Sequence, residues 1–466
     1  MTDWSQTAVR FLLEIFDDDH EPLFPLTTTD YVGFTCAIIG LMIAAGGGVG
    51  GGGILVPIYI LVFGFSPKHA IPLSNVTVFG GAVANTLLNA SKRHPVANRP
   101  LVDWDLILVM EPLTIAGALM GAFLNKVLNE QLLIVMLVVL LSFTAHTTLT
   151  KAVKMYNIET KLLRAAHYTN AVKESELTQM AMDEETDLDV GSSLVDNMEM
   201  QEADVDNMEV QEPDETPEVM TTVPLVEEEL QQILHEETEA PMASIMLLVT
   251  MFVVVLFINI MKGGGAFPSP LGIRCGSISF WTANMIMLAW ILAISFMARS
   301  YLIRRFEVKQ RVGYEYVEGD IQWNARATLI YPLVCCFAGF FAGMFGIGGG
   351  IVKGPLMLAM GVHPAVSAAT SACMILFTSF TATTSFVVFG LLVTDYAVLC
   401  IVIGFLATLM GQIGLAVLMK RYQRNSFIAF SIGAVVFLSA LLMTIQSLVS
   451  MAEGRHHHAG GICGKD

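Results

Sequence analysis

The chain has 466 residues, of which 54% are hydrophobic and 14% charged, and its mean hydropathy is +0.62. Most of it needs an apolar solvent, which excludes a soluble multidomain protein, a collagen, a disulfide scaffold and a nucleic-acid-binding protein. The formal charge of −17 belongs to one stretch: 23 of the 42 acidic residues lie between Glu174 and Glu239, where there is no Lys or Arg, so the rest carries 19 acids against 25 bases. The composition describes a mildly basic membrane body interrupted by one acidic insert.

In chain order, residues 1–30 read as an N-terminal segment and not as a secretory signal, because the apolar stretch Phe11–Phe16 is short, holds Glu14 and runs into Asp17, Asp18 and Asp19. Apolar segments that predict helices follow at 31–64, 69–90, 104–124 and 131–150, then at 243–262 and 280–298, then at 327–361, 364–390, 395–419 and 427–449. Most have the ~20 residues that cross ~30 Å of hydrocarbon. Two are too long for one crossing and are cut by glycine, at Gly46–Gly48 with Gly50–Gly53, and at Gly346 with Gly348–Gly350. The apolar stretch after each cut is a half-span of roughly 16 Å. The insert, 151–242, begins basic and turns acidic, with a near-duplicated Val195-Asp-Asn-Met-Glu and Val205-Asp-Asn-Met-Glu. Self-repelling charge and few aromatics predict a disordered cytosolic tether. Residues 243–326 supply two additional helices and a basic loop, and 451–466 a C-terminal tail whose His456–His458 run is too short for a metal site. The seven cysteines show no CxxC or CxxH spacing, which predicts packed thiols and neither a zinc site nor a disulfide framework.

The two glycine-cut segments match each other. Gly48-Val49-Gly50-Gly51-Gly52 runs on to Pro57 as Gly346-Ile347-Gly348-Gly349-Gly350 runs on to Pro355; Ser66-Pro67 precedes Ser74 as His363-Pro364 precedes Ser371; Leu119-Met120-Gly121 matches Leu409-Met410-Gly411. Residues 31–150 and 327–450 therefore read as two transmembrane repeats. Basic clusters at Lys92/Arg93/Arg99, Lys151–Arg164, Arg299–Arg311 and Lys420/Arg421/Arg424 fall on the cytosolic side by the positive-inside rule. That count inverts the repeats relative to each other and makes each glycine-cut segment a re-entrant or half-helix hairpin, with both termini outside. The fold class expected is an all-α polytopic membrane protein of two inverted repeats and about 8–10 transmembrane segments, multi-pass in a plasma or organelle membrane.

Non-helical backbone at bilayer depth is tolerated where it is buried or lines a wet cavity. Two such breaks in inverted halves point to a substrate site near the midplane of a transporter. Glycine lets a ligand approach bare N–H groups, and a helix N-terminus with roughly half a positive charge prefers an anion. The candidate substrate-binding residues are Gly50, Gly51, Gly52, Gly53, Ser74, Asn75 and Thr77 in the first half, and Gly348, Gly349, Gly350, Lys353, Thr370 and Ser371 in the second, with Thr378 beside them. Glu111 and His146 are the proton-coupling candidates. The partners expected are a small anionic substrate, the lipid bilayer and a coupling proton or ion; no nucleic acid, metal or cofactor is called for. No nucleophile with a base appears in the spans, so an enzyme is not expected. A passive anion channel on the same fold is the alternative.

At GGGVGGGGILVP with SPKHAIPLSN, and at FGIGGGIVKGP with HPAVSAATSA, the sequence resembles the TauE/SafE family of sulfite exporters, also grouped as the sulfonate uptake permease superfamily. The resemblance covers both halves. It implies a permease for sulfite, sulfonates or related organosulfur anions, driven by a proton or ion gradient. The longer first glycine run and the acidic insert depart from the compact bacterial pattern and suit a eukaryotic member.

Overall fold

Local chemistry decides where the helices start and stop. The computed structural model describes residues 23, 25–45, 50–187, 219–317, 319–422 and 426–452. Thirteen helices occur among them: α1 Thr28–Ala45, α2 Gly52–Leu61, α3 Pro67–Ala90, α4 Trp104–Val127, α5 Glu130–Asp187, α6 Val219–Thr238, α7 Met242–Lys262, α8 Ile278–Arg311, α9 Ala327–Phe345, α10 Gly350–Ala359, α11 Pro364–Phe389, α12 Thr394–Tyr422 and α13 Ser426–Ala452. Nine contain a stretch long and apolar enough to span a membrane, and no strand occurs among the described residues. The all-α polytopic expectation is met. Proline opens both α3 and α11, where its missing N–H costs nothing. Asp103 caps α4 by accepting from Leu106 N–H at 3.0 Å.

In α3, α4 and α11, 72%, 78% and 67% of the apolar window is buried, against 28% in α5, α7 and α8. The first three form the centre. The others present residues such as Val139, Phe143, Val253, Phe257 and Phe296 outward, as a lipid-facing belt would. Small residues bring the central helices together. A Cβ on Gly117 or Gly121 of α4 would lie 2.0 or 2.1 Å from the carbonyls of Cys336 and Phe340, and one on Gly339 or Gly343 of α9 would strike Thr114 and Ala118 at 2.0 and 2.1 Å. This is a reciprocal small-xxx-small crossing. Gly80 of α3 and Gly404 of α12 meet Ile401 O and Thr77 O in the same way, at 2.2 and 2.1 Å.

The ends of the bundle are defined by cross-contacts. At one end the Tyr396 hydroxyl donates to Asp30 at 3.0 Å, His69 donates to Leu391 O at 3.0 Å, and Phe63 and Phe65 pack on Tyr396. The α2–α3 and α11–α12 turns share that end. At the other, Arg99 pairs with Asp320, Arg305 lies 3.0 Å from Asp105, and the His94 and His363 rings are 5.8 Å apart. The α3–α4 and α10–α11 turns share this one.

Two expectations change. The insert is helical at both flanks, since α5 runs on to Asp187 and α6 covers Val219–Thr238; residues 188–218 lie outside the described residues, as do 1–22, Gly46–Val49 and the tail 453–466 with its histidines. Cys36, Cys335, Cys336, Cys373 and Cys400 are free thiols, but Cys275, in the α7–α8 loop, is disulfide-bonded. Its place in a Gly- and Pro-containing loop between spans carried no spacing signal for that bond.

Candidate functional site: two glycine breaks at the centre of the bundle

Two glycines before each half-helix share one conformation. Gly50 and Gly51 take φ of +79° and +75°; Gly348 and Gly349 take +67° and +70°. The second of each pair is the N-cap of a ten-residue helix, α2 or α10, which begins at Gly52 or Gly350. N-caps are normally extended and carry a bonding side chain. Here the left-handed conformation favours glycine, and neither N-cap supplies a side-chain bond to its helix; in α2 the Ile54 N–H is taken by Gly51 O at 3.0 Å, a bond within the turn itself.

The breaks meet. A Cβ on Gly52 would lie 2.3 Å from Gly346 O and 2.4 Å from Ile347 Cα. Gly50 and Gly348 face the same two side chains, Val78 and Ile375, which hold equivalent positions on α3 and α11. The helices entering the breaks are capped from outside: Asn125 Nδ2 of α4 donates to Met344 O at 2.8 Å, and Gln412 Nε2 of α12 donates to Ala45 O at 2.7 Å.

Around this junction the candidates separate into three groups. Ser74 donates to Gly346 O at 2.8 Å and holds the second break from the first half. Asn75 and Ser371 are fully buried, and Asn75 Oδ1 and Ser371 Oγ have no partner among the described residues. Lys353 turns back toward its own break, with Cε 3.5 Å from a Cβ on Gly349. Its Nζ lies 3.0 Å from Glu111 Oε2 and donates to Thr378 Oγ1 at 2.7 Å, while the Thr378 hydroxyl lies 2.6 Å from Glu111 Oε1. All three side chains are fully buried, so neither charge reaches a lipid interface. The triad is one-sided, because the equivalent positions of the other half hold Leu55, Gly81 and Ile401.

Other candidates lie apart. Thr77 is held by Tyr59 OH at 2.7 Å and by Leu73 O at 2.8 Å, and Tyr59 reaches Cys400 Sγ at 3.3 Å; this buried cluster ties α2, α3 and α12. Thr370 Oγ1 accepts from Asp103 N–H at 3.0 Å and anchors the start of α4. His146 is exposed on α5, which packs against α13. Residues that sequence reasoning missed are Asn125 and Gln412, and Asn85 with Thr408, which line a small cavity beside Gly50, Gly81 and Ile375. A carboxamide just past a repeated glycine, as Asn125 follows Gly121 and Gln412 follows Gly411, was the available signal.

Fold and site define a polytopic α-helical membrane protein with paired, uncapped half-helices at its centre. The TauE family model, described as sulfite exporter TauE/SafE, matches residues 32–330 and 263–443, and the chain belongs to that family. The chain is 27% identical over 412 residues to "Sulfite exporter TauE/SafE family protein 5" of Arabidopsis thaliana, covering 88% of this chain and 81% of that protein. It is 25% identical to family protein 3 of the same plant, over 97% and 87% of the two chains, and 26% identical to family protein 2, over 91% and 84%. No solved structure matches it.

Proposed function

We propose that the protein is a secondary active transporter of a small sulfur-containing oxyanion, bound where the two glycine breaks meet. The observation that carries this reading is the approach of Gly52 to Gly346 and Ile347, with both helix N-termini uncapped. Each terminus contributes roughly half a positive charge, and the N–H groups of a helix's first turn suit the oxygens of sulfite or a sulfonate. Asn75 and Ser371 add polar groups with unused bonding capacity. The turns on opposite ends of the bundle support two inverted halves, and the basic loops favour a cytosolic side for the α3–α4 and α10–α11 turns.

The triad supplies a coupling rule. With Glu111 ionised, Lys353 is neutralised and the junction attracts an anion through its amides alone. A proton on Glu111 frees the ammonium, and an anion then restores neutrality. Proton and anion therefore favour each other's binding and cross together, a reciprocal linkage. The test is flux of sulfite, thiosulfate and short sulfonates in proteoliposomes with and without a pH gradient, for the parent and for Asn75→Ala and Glu111→Gln. Expected are gradient-driven flux in the parent, weakened binding in Asn75→Ala and gradient-independent behaviour in Glu111→Gln. Flux indifferent to the gradient in the parent would replace the carrier with a passive anion channel.

A further inference from the structure

The end of the acidic insert is seated on the membrane body. Glu237, in the last turn of α6, is ion-paired with Lys309 of α8; Arg305 Nη2 lies 3.7 Å from it, and the Tyr314 hydroxyl donates to its Oε2 at 2.6 Å. One turn earlier, Ile233 is buried against Val312 and Tyr314. Next to Glu237, the Thr238 carbonyl accepts from Arg93 Nη1 at 2.5 Å. Lys309 also sits 4.3 Å above the Tyr314 ring. Burial opposes the charge on Glu237, but Lys309, Tyr314 and Arg305 together hold its carboxyl below the usual range.

These contacts join the α3–α4 loop to the segment that leads from α8 into α9. Arg93 lies in the α3–α4 loop of the first half, while 309–314 leads into α9 of the second. Arg99 and Asp320 tie the same two pieces again. Under the seat is a cavity of about 110 Å³ whose walls include Glu236, Glu237, Arg305, Asp103, Asp105 and Val366. Asp103 and Val366 stand at the starts of α4 and α11, the helices that carry Glu111 and Thr378.

We propose that α6 is a strap closing the cytosolic mouth of the transport path, and that its seat on α8 and residues 312–316 is a docking surface for an acidic amphipathic helix, here supplied by the chain itself. Alternating access needs the halves to rock against each other, and a clamp bound to both raises the cost of opening on that side. A competing acidic helix or loss of Glu237 would release it. The inference rests on the transport reading, but its primary test does not use flux.

In full-length protein carrying Val366→Cys, labelling of residue 366 by a thiol reagent is followed by mass spectrometry. Glu237→Lys is expected to speed labelling about tenfold, the scale of one lost charge-assisted hydrogen bond, and Ile233→Asp, which sets a carboxylate against Val312 and Tyr314, by a similar factor. Adding Lys309→Glu to Glu237→Lys should return the rate toward that of the parent, which a merely unfolded variant would not do. Flux should rise in the same released variants. Unchanged labelling in both single variants, or flux that is measurable in the parent and does not rise in variants that label faster, overturns the strap. Failure of the transport reading would look different: no flux in any variant, with the labelling pattern intact.

Discussion

Lys353 and Glu111 decide what single substitutions do at the centre. Removing one partner of a buried pair strands the other charge, so Glu111→Gln should cost about 3–5 kcal/mol, read as a lowered midpoint of thermal unfolding in detergent. Glu111→Leu with Lys353→Met should recover most of that stability while abolishing dependence on the pH gradient; an unstable double variant would contradict the pairing. At the break, Gly52→Ala drives a methyl into Gly346 O at 2.3 Å and should abolish folded yield or flux, whereas Gly354→Ala, with nothing within 4 Å, should behave as the parent. Outside the span, Asp103 is pushed up to about 6 by burial, then by the charge of Asp105. The folded state thus holds a proton that the unfolded state gives up, and stability falls as pH rises from about 4 to about 6. Asp103→Asn keeps the cap and loses that penalty, so it should melt with the parent at pH 4 and above it at pH 7. At this scale the sequence marked Ser74, Asn75, Lys353 and Glu111 singly. It could not pair Lys353 with Glu111, because the rotation of an all-apolar helix leaves no periodic trace.

At the scale of elements, the glycines have two separable tasks. Gly50, Gly51, Gly348 and Gly349 are required by their left-handed φ, while Gly117, Gly121, Gly339 and Gly343 are required by close backbone approach. Gly339→Val should push α4 from α9 and destabilise the fold by at least the 1–3 kcal/mol typical of overpacking, about what a detergent-melting comparison can resolve. Gly414→Ala, on α12 with nothing within 4 Å, is the matched control and should leave the melting midpoint in place. The breaks were legible in sequence because φ is a local property. The α4–α9 crossing was not legible: the Leu-Met-Gly match sets Gly121 of α4 against Gly411 of α12 and says nothing of α9.

Over the whole molecule, each half-helix turn opens at its own end of the bundle, and basic loops mark one end. With both faces accessible in turn to an impermeant thiol reagent, Asp395→Cys should react from outside and Val96→Cys from the cytosol; the reverse would undo the orientation. The acidic insert shows the opposite balance of local and global information. Its composition predicts a solvated tether, and charge repulsion argues for that along most of its length. Ile233 and Glu237 still find a seat, because α8 and residues 312–316 bring Lys309, Tyr314 and Val312 to one surface.

The sequence by itself determined the all-α polytopic class, since hydropathy and chain length are written residue by residue, and its glycine-rich motifs determined the family. Tertiary structure alone decided that Lys353 meets a carboxylate 242 positions away, that Thr370 anchors α4, that His146 faces outward and that the insert returns to the body. Partners so distant depend on how helices rotate and cross, and in a bilayer small-residue packing sets that geometry with little help from hydrophobic patterning.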